Sequence, residues 1–305
     1  MNVKSLLLHL EMKMFDPGIL NIIKRSKHKD SIMEKLCLMG KNDEKFKYAL
    51  HIIEIYSEFN YIIRLLDILD SSIINCRQVY LFLTNSDIIK TQKDDYNYII
   101  QRAEIIACAK GEIQAELTRH LLTEVPKSDY ALTVAELIAG AKNGNRAQLI
   151  YNFVTDQYVM VNKNEYILTA ARLIAGVKED FQASYMYNLL IRKGPVALEG
   201  ARAIASTKGI IQAKAIYILL TANNISICEK DRIAEVIEKI LMLNDTEIVK
   251  LMLINSGLDV GEAFARILML SDEEITDLML RVLIDNNSSP KKIRERGLPP
   301  NRNRK

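Results

Sequence analysis

Tryptophan is missing from this chain, and glycine (12) and proline (6) are sparse among its 305 residues. That scarcity excludes collagen-like and low-complexity chains and argues against the turn-dense sequences of β-sandwiches and barrels. The four cysteines, Cys37, Cys76, Cys108 and Cys228, form no CxxC pair. Neither a disulfide framework nor a zinc site is expected from them, and a reduced, cytoplasmic chain is. The four histidines, His9, His28, His51 and His120, show no HExxH or paired spacing, which leaves a hydrolytic metal without visible ligands. A glycine-rich phosphate loop, a GxSxG elbow and a kinase-type HRD are absent too, so neither an enzyme nor a cofactor is expected. No stretch reaches the roughly 18 apolar residues that cross a bilayer. The opening run SLLLHL is interrupted by His9 and Glu11, so it does not read as an export signal.

What the chain does have is a phrase used four times: AEIIACAKGEIQAEL from Ala103, AELIAGAKNGNRAQL from Ala135, ARLIAGVKEDFQASY from Ala171 and ARAIASTKGIIQAKA from Ala201. A lysine keeps its place in each, at Lys110, Lys142, Lys178 and Lys208, giving a period of about 30 to 36 residues, the length of a two-helix unit. Before the lysine, apolar residues fall in steps of three and four, as at Tyr98, Ile100, Ala103, Ile106 and Ala107. That is one face of a helix. Gly111 and Gly209 directly follow the lysine and Gly144 lies two beyond, where a left-handed residue can end a helix. A second helix then carries Ala115, Ala147, Ala183 and Ala213 in one column. The short turn requires the two helices to be antiparallel neighbours. The small residues Ala107, Ala139, Ala175 and Ala205 are expected at their closest approach. Weaker copies begin at Ala234 and Ala263, and a related rhythm starts at Tyr48.

These columns resemble the α-solenoid class, which includes tetratricopeptide, pentatricopeptide and HEAT arrays. The resemblance implies an all-α fold, a right-handed superhelical solenoid of stacked antiparallel two-helix repeats. Residues 1–47 are read as an N-terminal helical cap, 48–285 as the solenoid and 286–305 as a basic flexible tail. No single family's binding residues transfer, because the Trp and Leu-Gly pattern of tetratricopeptides and the TPLH signature of ankyrins are absent.

The charge is unevenly spread. Residues 290–305 hold seven Lys or Arg against Glu295, a balance of +6, so residues 1–289 sum to −3 within the overall +3. Two function classes follow. The first is a scaffold that binds a protein or peptide partner on a solenoid surface. Its candidate contacts are the i, i+4 pairs of the second helices, Glu116 with His120, Gln148 with Asn152 and Ser184 with Asn188. The alternative is nucleic-acid binding by the lysine row, Lys110, Lys142, Lys178 and Lys208, with Lys291, Lys292, Arg294 and Arg296 of the tail. Against that second use, a lysine at a helix C-terminus also complements the helix dipole. Tyr151, Tyr187 and Tyr217 are read as packed residues with hydroxyls at the rim rather than as a base-stacking ladder.

Overall fold

A computed structural model of the chain describes residues 17–40, 42–56, 58–91, 95–124, 129–156, 164–221, 234 and 237–248. Among these residues all regular structure is helical and there is no strand. The repeat copy at Ala263, the start of the chain and the basic tail, with Lys291, Lys292, Arg294 and Arg296, lie outside the described residues. The chain forms two compact units, residues 1–175 and 176–305.

In the first unit the helices are α1 (Pro17–Arg25), α2 (Lys29–Met39), α3 (Asp43–Ile55), α4 (Phe59–Ser71), α5 (Cys76–Leu83), α6 (Ser86–Thr91), α7 (Tyr96–Ala107), α8 (Glu112–Glu124), α9 (Asp129–Ala139), α10 (Gly144–Thr155) and α11 (Asn164–Gly176). Side-chain caps start several of them. Asn42 accepts from the Glu44 and Lys45 amides, Asp95 from Tyr98 and Asn143 from Arg146, satisfying amides that have no partner inside the helix. The helices alternate in packing. α3, α5, α8 and α10 lie side by side in succession, and so do α2, α4, α7 and α9, each of this second set pairing with the short-turn helix that follows it. We refer to α2, α4, α7 and α9 as first helices and to α3, α5, α8 and α10 as second helices.

The core follows the repeated columns. Ala103, Ala135 and Ala171 are fully buried, as are Ile106, Ile138 and Ile174 three residues on. Of the small residues expected at close approach, Ala139 is buried, whereas Ala107, Ala175 and Ala205 are only half-buried. These alanines lie at or next to helix ends, at Ala107, Ala139, Gly176 and Ala205.

The second unit contains α12 (Asp180–Lys193), a 3-10 turn (Gly194–Ala197), α13 (Leu198–Ala205), α14 (Ile210–Thr221) and helical residues at 237–242 and 245–248. α12 packs on α13 and α14, and α13 packs on α14. Glu179 and Gln182 close a reciprocal capping box at the start of α12. Gly194, with φ 65° and ψ −149°, is the one described glycine with positive φ, a backbone conformation essentially restricted to glycine. Gly111, Gly144 and Gly209 are thus not left-handed helix caps. They stand next to or at the start of the second helix, where the absent Cβ makes room: for the Gln114 amide at Gly111, the Ile113 side chain at Gly144 and the Asp245 carboxylate at Gly209.

Candidate functional site

Each second helix has a long, buried polar residue at its third position, Lys45, Gln78, Gln114 and Arg146, and α12 and α14 of the second unit have Gln182 and Gln212 in the same place, none more than 8% exposed. Helix ends explain why. The last carbonyls of a helix lack internal partners, and a primary amide both donates and accepts. Gln182 Oε1 accepts from its own helix start at Glu179 N (3.1 Å), while Nε2 donates to the carbonyls of Ala205 (3.2 Å) and Thr207 (2.8 Å) at the end of α13. Gln212 repeats the device, accepting from Lys208 N (2.6 Å) and donating to the Ile240 and Leu243 carbonyls (2.7 and 2.6 Å). Lys45 Nζ donates to the Asp70 carbonyl at the end of α4 (2.6 Å). Where Gln78 is engaged otherwise, accepting from Arg119 Nε (2.9 Å), Asn75 substitutes, its Nδ2 reaching the carbonyls of Ala107 (3.3 Å) and Ala109 (2.7 Å). Each bridge runs from the start of one second helix to the end of the next first helix, fixing the register of successive helices.

Lys110 makes a bridge of the same kind. Lys110 lies in the turn between α7 and α8, where its amide donates to the Ala139 carbonyl (3.1 Å) and its Nζ to the Gly140 carbonyl (2.7 Å). Its charge therefore complements the C-terminus of the following first helix, α9, and not that of its own helix. Lys142 occupies the matching turn before α10, and Lys178 and Lys208 precede α12 and α14. Lys110, Lys142 and Lys178 are exposed.

The bridges hold the solvent-facing sides of the second helices in one row. On α8, His120 lies 3.9 Å from Glu116 and 3.7 Å from Glu124, and Arg119 Nη2 approaches His120 Nε2 at 2.9 Å. On the adjacent α10, Gln148 Nε2 donates to Asn152 Oδ1 (2.7 Å), and Tyr151 OH reaches back to Glu124 (3.4 Å). The structure thus brings Glu116, His120, Gln148 and Asn152 onto neighbouring helices, with Gln148 and Asn152 exposed. In the second unit Ser184 and Asn188 are exposed on α12, but Ser184 Oγ donates to the Asp180 carbonyl (3.0 Å), the common back-bond of a helical serine. Tyr217 is buried, and Tyr151 and Tyr187 are half-buried. Toward the N-terminus the row continues through Tyr48 and Tyr80, stacked with centroids 3.9 Å apart and planes 12° from parallel, and through His51 Nδ1, 2.8 Å from Tyr80 OH. Burial and the Glu44 hydrogen bond push the Tyr48 phenol up to about 12. Arg119 and the Tyr48–Tyr80 pair escaped the sequence reading. Arg119 breaks a tyrosine column, the only available signal, while Tyr48 and Tyr80 lie outside the four strong copies.

Arg102 is fully buried in α7. Its Nη1 donates to the Leu122 carbonyl and its guanidinium lies 3.8 Å from the Tyr98 ring centroid, but Nε and Nη2 have no hydrogen-bond partner. Burial pulls its pKa below the usual arginine value, with Tyr98 opposing. Among the described residues no three His, Cys, Asp or Glu side chains converge as metal ligands, and no helix is long and apolar enough to cross a membrane. No protein-family model, curated protein or solved structure matches this chain.

Proposed function

We propose that this chain is a non-enzymatic, cytoplasmic scaffold: a right-handed α-solenoid of stacked antiparallel two-helix repeats that docks a peptide or protein on the exposed polar side of its second helices. The observation that carries this reading is the row of exposed Glu116, Gln148 and Asn152 with half-buried His120 on the adjacent helices α8 and α10, with Lys110 bridging from the turn before α8 to the end of α9. Amide and carboxylate side chains spaced along parallel helices suit the backbone of an extended segment, which supplies one donor and one acceptor per residue. At Lys110 the amine is committed to the Gly140 carbonyl, which weighs against polyanion binding at that position.

The test is to pan the full chain against a displayed library of random dodecapeptides and measure the enriched peptides by fluorescence anisotropy. The Gln148→Ala/Asn152→Ala double variant should weaken binding by about tenfold, the scale of one or two lost hydrogen bonds. Enriched peptides that bind this variant unchanged, or a library that enriches nothing while a 20-nucleotide single strand binds tightly, would overturn the docking reading.

A further inference from the structure

We infer that the partner on the second-helix side of the first unit is a basic extended segment with two cationic residues about five to six positions apart. The inference rests on the docking reading above and adds the partner's chemistry. On α3, α5, α8 and α10 the exposed acids Asp43, Glu44, Glu54, Glu112, Glu116 and Glu124 outnumber the solvent-facing cations Lys47, Arg77 and Arg119 two to one. The first helices balance themselves differently. There Lys35 pairs with Asp67, and Arg64 with Glu104, across neighbouring helices. On the second helices the ion contact of Glu116 and Glu124 is His120 between them, at 3.9 and 3.7 Å. Arg119 on the same helix hydrogen-bonds to Gln78 and approaches His120, and among the described residues neither carboxylate forms an ion pair with a Lys or Arg.

A second cation-seeking feature lies on the same row. The Tyr48–Tyr80 stack joins α3 to α5 with Glu44 hydrogen-bonded at its edge, and each ring is half-exposed. A guanidinium is drawn to an aromatic face and to a carboxylate beside it. From α3 to α8 there are two interhelix steps of ~8–10 Å, a span of roughly 16–20 Å. An extended chain covers this in about five to six residues at ~3.3 Å each. One cation then meets the tyrosine pair while the other meets the Glu116–Glu124 carboxylates, and the intervening backbone crosses α5.

The experiment titrates full-length protein into three fluorescein-labelled Gly/Ser dodecapeptides. The first carries two arginines six positions apart, the second two adjacent arginines, and the third two glutamates six apart. The spaced-arginine peptide should bind at least about fivefold more tightly than either other, and its affinity should fall about tenfold between 50 and 300 mM salt as the charges are screened. Glu116→Gln/Glu124→Gln should weaken it about fivefold or more, whereas Glu104→Gln, on a first helix and paired with Arg64, should leave it unchanged. A double variant that binds as the wild type does, or a glutamate peptide that binds as well, overturns the basic-partner inference. If library peptides without basic residues bind and depend on Gln148 and Asn152, the docking reading survives and the charge assignment falls. If no peptide of any kind binds, both fall.

Discussion

At Gln212 one amide closes two helix ends, accepting from Lys208 N and donating to the Ile240 and Leu243 carbonyls with no exposure to solvent. Gln212→Leu keeps much of the volume and removes every one of those bonds, taking these partners from the Lys208 amide and the Leu243 carbonyl and leaving the Ile240 carbonyl only the Leu243 amide, at a cost of roughly 1–3 kcal/mol. Urea unfolding followed by circular dichroism should show that loss as a lower midpoint with an unchanged slope. Arg102 presents the opposite case. It is as buried as Gln212, yet Nε and Nη2 are unpaired and its hydrogen bond runs from Nη1 to Leu122. Replacing a poorly compensated buried charge with an apolar side chain of similar length often costs nothing or stabilises, so Arg102→Met should change stability by less than about 1 kcal/mol. Arg102→Ala should destabilise through the cavity alone. If Arg102→Met unfolds the protein, the carbonyl bond and the Tyr98 ring contact hold the guanidinium more strongly than this argument allows. Neither role was legible in the sequence. Glutamine or arginine before the alanine column is visible at 114, 146, 182 and 212, but what the glutamines at 182 and 212 bridge are residues well ahead in the chain, at Ala205 and Thr207 and at Ile240 and Leu243, that only packing reveals.

At the level of helices, glycine acts through close approach more than through conformation. Gly200 in α13 sits where an added Cβ would meet Leu220 Cδ1 at 2.5 Å and Leu189 Cδ2 at 3.2 Å, whereas Gly176 at the end of α11 has nothing within 4 Å. Gly200→Ala should therefore overpack α13 against α12 and α14 and destabilise by about 1–3 kcal/mol. Gly176→Ala should be neutral or stabilise by about 0.4–1 kcal/mol through the unfolded chain. Thermal melts of the two variants side by side test the point, and equal effects would remove close packing as the explanation. The helices themselves were readable because steps of three and four in the apolar residues map directly onto one buried stripe, as Ala103, Ile106, Ala135 and Ile138 show. The glycines were misassigned because a glycine after a helix suggests a left-handed cap, and nothing in one sequence distinguishes that from a turn in which the next helix begins. The N-terminal units were fainter because Lys45 and Asn75 do the bridging without the lysine and glycine that mark the later copies.

For the whole molecule, the resolved ionisation shifts of the buried tyrosines and of Lys35 point one way. Burial pushes Tyr130 and Tyr166 up to about 12, and burial with the Glu44 hydrogen bond does the same for Tyr48, from an ordinary value of 10.0. The Asp67 carboxylate holds Lys35 above its usual 10.5. In each group the protonated form is favoured by the fold, so its contribution is complete below the unfolded value and is lost as pH rises through the folded one. Stability should accordingly hold to about pH 10 and fall between about pH 10 and 12, a window set by phenols and an amine. Phenolate absorbance at 295 nm should show an early fraction titrating near the free value and a late fraction whose ionisation coincides with the loss of helical circular dichroism. Tyr130→Phe removes a buried hydroxyl that has no hydrogen-bond partner, so it should diminish the late fraction while leaving neutral-pH stability unchanged or higher. A single tyrosine transition centred near pH 10 with the helices intact would mean that these rings are open to solvent, and the burial of α9 and α11 against their neighbours would have to be redrawn.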